Sequence, residues 1–589
     1  MEDCSSFSNT KEIVITHAVI ELTSDFLSRT FDGRVTYTLK ARENGVTKVV
    51  LDIKHIEILS VPNVAKTSYG DWSEALGGSL VLNLLEPLQK GEKTTVTINF
   101  KTTEKCTAVQ FLERTQTAGK NYPFCYTQCE PIHCRTMIPV QDSPGVKFTI
   151  EYRISVKPPL VAVCAGEYKK ERSRVPGYVT YYYVQKVPVP SYLVAFAIGN
   201  IESQKIGPRS TLYTEPILLE SAAYEFGETE SFLRTAEELV TPYFWGKLDI
   251  LLLPPSFPFG GMENPSLVFL TPTILAGDRS LTSVIAHEIA HSWTGNGVTN
   301  ATWEHFWLNE GFTVYIERKI IKKLYGVGLA DLNALNGIKS LEKAIQVFGE
   351  DHNFTKLNPS LEDIDPDDAF SCIPYEKGSI FLRHLESLVG EEVFLDFLKE
   401  YFEKYKGRSI VSKDFQSFFA SKFQNVEVDW KEWLQGTGMP PVIPDFDVSL
   451  LESVNSLYNK WRDPEYVPDP SDIEGWHSEQ IVAFLEHVLL APEPYFLQMG
   501  ETYSFVYTHN SEIKMKWLLL VIDLRAEEYY EQIKEFLTSM GRMKYVRPLF
   551  REMFKKGLSY LANEILTMCQ SFYHPTLQVL IQKEFQLTQ

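Results

Sequence analysis

At 589 residues the chain is too long for a single hydrophobic core, and three or four domains are expected. A hydrophobic content of 44% with 23% charged residues is globular, while 57 basic against 76 acidic residues, net −19, argues against a general binder of nucleic acid or anionic membranes. The start, Met1-Glu2-Asp3-Cys4-Ser5-Ser6, has no apolar signal-peptide core, and apolar runs such as Trp517 to Ile522 are too short to span a bilayer.

Eight cysteines in so long a chain form no evenly spaced framework, which points to a reduced, cytoplasmic protein. Over the first 200 residues apolar and polar positions alternate, as in Arg34 to Leu39, Thr94 to Phe100 and Phe148 to Val156. Turn residues such as Glu43-Asn44-Gly45 and Lys90-Gly91-Glu92 fall between the runs, so sheet packed on sheet is predicted. Within this region Cys125, Cys129, Cys134 and His133 have poor spacing for a metal site and read as buried thiols. Gln128 and Glu130, two apart on an extended segment, point the same way and are candidates for contacting a ligand.

Helical patterning takes over from Glu228 to Tyr243. Strands are then predicted at Leu248 to Leu253 and Ser266 to Leu270, around the loop Pro254 to Asn264. In that loop Gly260-Gly261 lets a substrate main chain approach closely, and Glu263, after Met262, can meet a cation; a hairpin tip with a solvated Glu is the alternative.

Next comes His287-Glu288-Ile289-Ala290-His291, with 18 residues between His291 and Glu310. On a helix, positions four apart share a face, so both imidazoles can meet one ion, with Glu288 beside it as general base. Glu310 supplies a third ligand, and the fourth tetrahedral position stays open, the arrangement of a catalytic zinc site. The spacing is specific: by composition such a pentapeptide is expected about 0.03 times in the chain. A third histidine ligand is excluded, because Gly297 stands six residues after His291.

Pro-rich joints, Gly438 to Pro444 and Pro464 to Pro470, bracket the entry to a helical tail. There Ser478 can cap a helix with Ile481, Phe484, Leu485 and Val488 on one stripe, and Ile533, Phe536, Leu537 and Met540 repeat the pattern before Gly541. Successive short amphipathic helices suggest a stacked solenoid. From Gly541 to Tyr560 there are six basic residues against one acidic, which alone reads as a solvated basic face.

Several stretches together resemble the zinc aminopeptidases with a thermolysin-like catalytic domain, of the leukotriene A-4 hydrolase and aminopeptidase B type. They are Phe257-Pro258-Phe259-Gly260-Gly261-Met262-Glu263-Asn264-Pro265, Leu275 to Leu281, the histidine motif, Trp303 to Phe312, Pro374-Tyr375-Glu376-Lys377-Gly378 and Gly541-Arg542-Met543-Lys544. The resemblance implies a multi-domain α+β chain: an all-β domain at 1–201, a thermolysin-like zinc domain at 202–442, a Pro-rich linker at 443–462 and a helical solenoid at 463–589.

It also implies roles. One zinc ion per chain would be held by His287, His291 and Glu310, with Glu288 as base and Tyr375 as oxyanion donor. Glu263 would anchor a free amine, and Arg542 with Lys544 a substrate carboxylate. Asp367 matches the acid that positions water along a lipid in that family, with a solvated acidic turn as the alternative. The implied activity is removal of N-terminal residues from di- and tripeptides by a monomer, with hydrolysis of a fatty-acid epoxide, leukotriene A-4, as a second activity. Three departures stand out. Glu130 replaces the second Gln of a Gln-x-Gln pattern, and Phe259 and Phe370 replace tyrosines. The alternatives are an epoxide hydrolase in the main, or a catalytically silent peptide-binding scaffold; the retention of ligands, base and anchor speaks against the latter.

Overall fold

The computed structural model describes residues 3–172, 176–463, 465–569 and 571–587. The period-two runs become strands with one buried face. In Phe148–Val156 the side chains of Phe148, Ile150, Tyr152 and Ile154 are buried and the residues between them are partly exposed up to Ser155. This strand lies in a seven-stranded sheet, where it pairs in parallel with Ile13–Asp25, His17 opposite Thr149; Ile13–Asp25 in turn pairs antiparallel with Thr30–Ala41. A three-stranded sheet (Val46–Ile53, Lys66–Ser73, Gly77–Leu88) and a four-stranded one (Val109–Leu112, Phe124–Thr127, Val161–Cys164, Phe196–Gly199) share its core.

The middle region is built on a five-stranded mixed sheet, with Asp249–Leu252 central and parallel to both Thr211–Thr214 and Leu267–Leu270. Two of its strands, Asp249–Leu252 and Leu267–Leu270, are buried at every position because both faces are covered there. Leu251, Leu253, Leu267 and Phe269 join the core of the β domain, whereas Ile250, Leu252, Val268 and Leu270 join the helical core on the opposite side. One core therefore runs on from the first sheets beneath the five-stranded sheet.

On the other face, the helix Trp307–Tyr325 packs against Ile373–Val389. Two glycines set their distance: a Cβ on Gly311 would stand 2.8 Å from the Gly378 Cα, so any side chain at either position would force the helices apart. That contact brings the turn carrying Tyr375 over the one carrying Glu310.

The C-terminal helices stack in two layers. Ser449–Trp461, Ser478–Val488, Ser511–Leu524, Met543–Lys555 and Pro575–Leu587 follow one another in one layer, with Tyr530–Ser539 and Ser559–Cys569 behind. The stretch 443–462, expected to be a linker, is mostly helix: Val454, Leu457 and Trp461 are buried in the C-terminal core. Pro464, at the start of the second Pro-rich joint, lies outside the described residues, as do Met1 and Glu2. Ser478 is the first helical residue rather than the cap. His477 takes the cap position, its N–H donating to Gln480 Oε1 at 3.0 Å, while Ser478 Oγ donates to the Ser280 carbonyl at 3.2 Å. Among the described residues no helix is long and apolar enough to cross a membrane.

Candidate active site

The helix Ser283–Ala290 carries His287 on its last turn, and His291 follows with helical dihedrals of −55° and −23°. The two imidazoles therefore share a face as the spacing predicts, their Nε2 atoms 3.1 Å apart. Glu310, in the first turn of the next long helix, brings Oε2 to 3.5 Å from both of them. The three ligand atoms lie within 4.8 Å of one another.

The far ring nitrogens are held. His287 Nδ1 sits 2.9 Å from Glu317 Oε2, two turns beyond Glu310 on the same helix. His291 Nδ1 sits 3.0 Å from the Thr294 carbonyl, so it carries the proton and Nε2 presents its lone pair. Glu310 Oε2 is buried without a hydrogen-bond donor. Two lone pairs and one buried carboxylate oxygen aimed at one point suit a divalent cation with N/O ligands, and zinc fits this donor set.

Around this point other buried acceptors lack donors: Glu288 Oε2, Glu263 Oε1, Gln128 Oε1 and Glu130 Oε1. Burial pushes the carboxyls of Glu130, Glu263 and Glu288 above the usual range, and at Glu130 and Glu288 neighbouring carboxylates add to it. Glu263 is fixed through its backbone, Asn296 Nδ2 donating to its carbonyl at 2.7 Å, and its Oε1 lies 3.8 Å from His291 Nδ1. Gln128 Nε2 contacts Met262 Sδ at 3.3 Å. Tyr375 stacks beside His287, ring centroids 6.2 Å apart and planes 14° apart, and burial together with Glu310 pushes its phenol well up.

Gly260 and Gly261 make room for the protein's own groups. A Cβ on Gly261 would fall 2.3 Å from Glu288 Oε1, and one on Gly260 would fall 2.6 Å from Arg542 Nη2. Hydrogen bonds from the Gly541 and Met543 N–H groups to the Pro255 and Pro258 carbonyls, both 2.9 Å, tie the C-terminal helices to this loop. The three candidate ligands line one cavity of about 940 Å³ together with Glu288, Glu263, Glu130, Gln128, Tyr375 and Arg542, as do Asp367 and Lys544.

The cavity wall holds contacts that local patterning did not reveal. Asp367 Oδ2 meets His133 Nε2 at 2.8 Å, and His133 Nδ1 meets Thr107 Oγ1 at 2.7 Å. Burial pushes the His133 imidazole down, but Asp367, Asp365 and Asp142 outweigh it and hold it above its ordinary value. Cys125, Cys129 and Cys134 are buried free thiols, and those of Cys125 and Cys134 are pushed well up by burial. Lys544, expected with Arg542 to bind a substrate carboxylate, is ion-paired with Glu512.

Known proteins resemble the chain along its whole length. Residues 14–193 match the peptidase M1 N-terminal domain, 224–433 the peptidase family M1 domain and 476–585 the leukotriene A4 hydrolase C-terminal domain. A leukotriene A-4 hydrolase of Xenopus laevis is 40% identical, covering 100% of both chains. Leucine aminopeptidase 2 of Aspergillus terreus is 41% identical over 99% of this chain and 97% of its own. The structure of yeast LTA4 hydrolase in complex with bestatin superposes with a TM-score of 0.93 at 35% identity, covering 99% of this chain and 97% of that one.

Proposed function

The chain belongs to peptidase family M1, a family of zinc hydrolases, and on that premise we propose that it removes N-terminal residues from short peptides, with Glu288 as general base. One observation carries this reading: buried carboxylate and amide oxygens without donors converge on a single cavity beside two imidazoles. Such a cluster is costly unless a cation and an ammonium belong among them. A divalent cation held by His287, His291 and Glu310 would supply Lewis acidity toward the scissile carbonyl and make a water more acidic.

The chain's own groups do the rest. Glu288 takes the proton of the attacking water and passes it to the leaving amine. The Tyr375 hydroxyl donates to the oxygen that becomes negative; losing such a donor typically costs about 3 kcal/mol. Glu263, Glu130 and Gln128 hold the free α-ammonium and so fix which peptide bond meets Glu288. Arg542, buried beside Gly260, receives the C-terminal carboxylate of a di- or tripeptide and limits length. The test is zinc analysis with an aminoacyl-anilide assay: stoichiometric zinc, loss of activity with chelator and a rate fall of at least 10²-fold in Glu288→Gln are expected. Equal cleavage by that variant would reject the mechanism.

A second substrate is supported by the apolar side of the cavity, where Trp303, Phe306, Phe354 and Leu361 stand with Asp367. It suits a fatty-acid epoxide, and chiral product analysis after incubation with the allylic epoxide tests it. Phe259 and Phe370 offer no hydroxyl there, so peptide hydrolysis is the main activity. The eight free thiols favour a reducing, cytoplasmic setting, and a monomer is proposed.

A further inference from the structure

Two cations of the cavity wall come from one turn of chain, yet they stand in different states. Arg542 Nη1 donates to Thr273 Oγ1 at 3.1 Å and to the Tyr545 hydroxyl at 3.0 Å, while Nη2 is the atom nearest Gly260. Lys544 is bound to Glu512 Oε1, which also accepts from the Tyr545 hydroxyl at 2.8 Å. Glu512 is firmly placed. It lies in the first turn of Ser511–Leu524, where Asn510 caps the helix, and Ser511 Oγ donates to the Thr273 carbonyl at 2.9 Å. Burial pushes the Glu512 carboxyl up, but Lys544 and Arg542 outweigh it and hold it below the usual range. The helix N-terminus also favours its charge.

We propose that Glu512 is a specificity residue: by neutralising Lys544 it leaves Arg542 as the cation offered to substrate, so this end of the cavity accepts one carboxylate and disfavours two. The three side chains sum to a single positive charge, and a second carboxylate would meet Glu512. Arg547 and Arg551, further along the same helix, have partners of their own. The inference rests on the proposed role of Arg542 and adds a discrimination to it: peptides ending in a neutral residue over those ending in Asp or Glu.

The experiment compares kcat/KM for Ala-Ala-Ala, Ala-Ala-Asp and alanyl-p-nitroanilide in the full-length zinc enzyme. Glu512→Gln frees Lys544, which is half-exposed and so screened. The Ala-Ala-Asp to anilide ratio should then rise about three- to ten-fold, with a smaller rise for Ala-Ala-Ala. Adding Lys544→Met should remove the gain, and Glu512→Asp, which keeps the charge, should retain the parent discrimination. An unchanged or lower Ala-Ala-Asp ratio in Glu512→Gln overturns the proposal, as does a gain that survives Lys544→Met. Arg542→Ala separates this from the underlying reading. If that variant leaves the tripeptide to anilide ratio intact, the carboxylate anchor itself is wrong. If it lowers the ratio while Glu512→Gln changes nothing, only the role of Glu512 fails.

Discussion

Gly261→Ala probes the contact between the glycine loop and the proposed general base, Glu288. The backbone at Gly261 does not need a positive φ, so alanine itself fits the chain there. Its Cβ, however, would lie 2.3 Å from Glu288 Oε1 and 2.7 Å from Cδ. Ordinary contact needs about 3.3 Å, so the carboxylate must retreat by roughly 1 Å. A displacement of that size at a reacting group can cost about 10²-fold in rate, or about 2.7 kcal/mol of barrier. Glu288 is the far end of a side chain, so the fold should survive with its melting temperature and zinc content intact. The assay is kcat for an alanine anilide, with zinc measured on the same sample. Glu288→Asp draws the carboxylate back by one methylene, so in the double variant the two losses should combine to less than their product. A Gly261→Ala enzyme with zinc bound and kcat within threefold of the parent would refute both the contact and the role given to Glu288.

Other outcomes are equally specific. Glu130→Gln removes one carboxylate from the wall shared with Asp367 and Glu263, and the ratio of Arg- to Ala-anilide kcat/KM should fall about tenfold; an unchanged ratio rejects a role for that charge. Glu317→Gln weakens the grip on His287 Nδ1 and should loosen zinc about 10- to 100-fold, read by competition with a chelator. Burial holds His305 and His574 down from 6.5 to about 4, so the native state binds fewer protons than the unfolded chain between those values. Their contribution is complete above pH 6.5 and is lost as pH falls through 4, at most about 3 kcal/mol each. Calorimetry of the zinc enzyme from pH 7 to 4 should show the loss, and His574→Gln should flatten it; an identical slope in the variant contradicts the burial.

The candidate metal ligands were legible because their geometry is local. His287 and His291 need one helical turn, and Glu310 needs the start of the next helix. The strand Phe148–Val156 was legible because one buried face forces alternation. Elsewhere a local signal pointed the wrong way. The prolines around 440–444 suggested a linker and masked the period of Val454, Leu457 and Trp461, which matters only once those residues have a partner helix. The glycine pair was legible as a place without side chains, but what fills that space was not. Glu288 stands 27 residues from Gly261 and Arg542 stands 282 from Gly260.

The sequence by itself determined the candidate metal ligands, the proposed base beside them and the alternation of strands and helices, since each depends on spacings of a few residues. Only the tertiary structure decided that Asp367 meets His133, that Lys544 is already neutralised by Glu512, and that the leucines of one strand divide between two cores. Those pairings join residues distant along the chain. Burial and Coulomb energy depend on what is near in space, and no local pattern encodes that nearness.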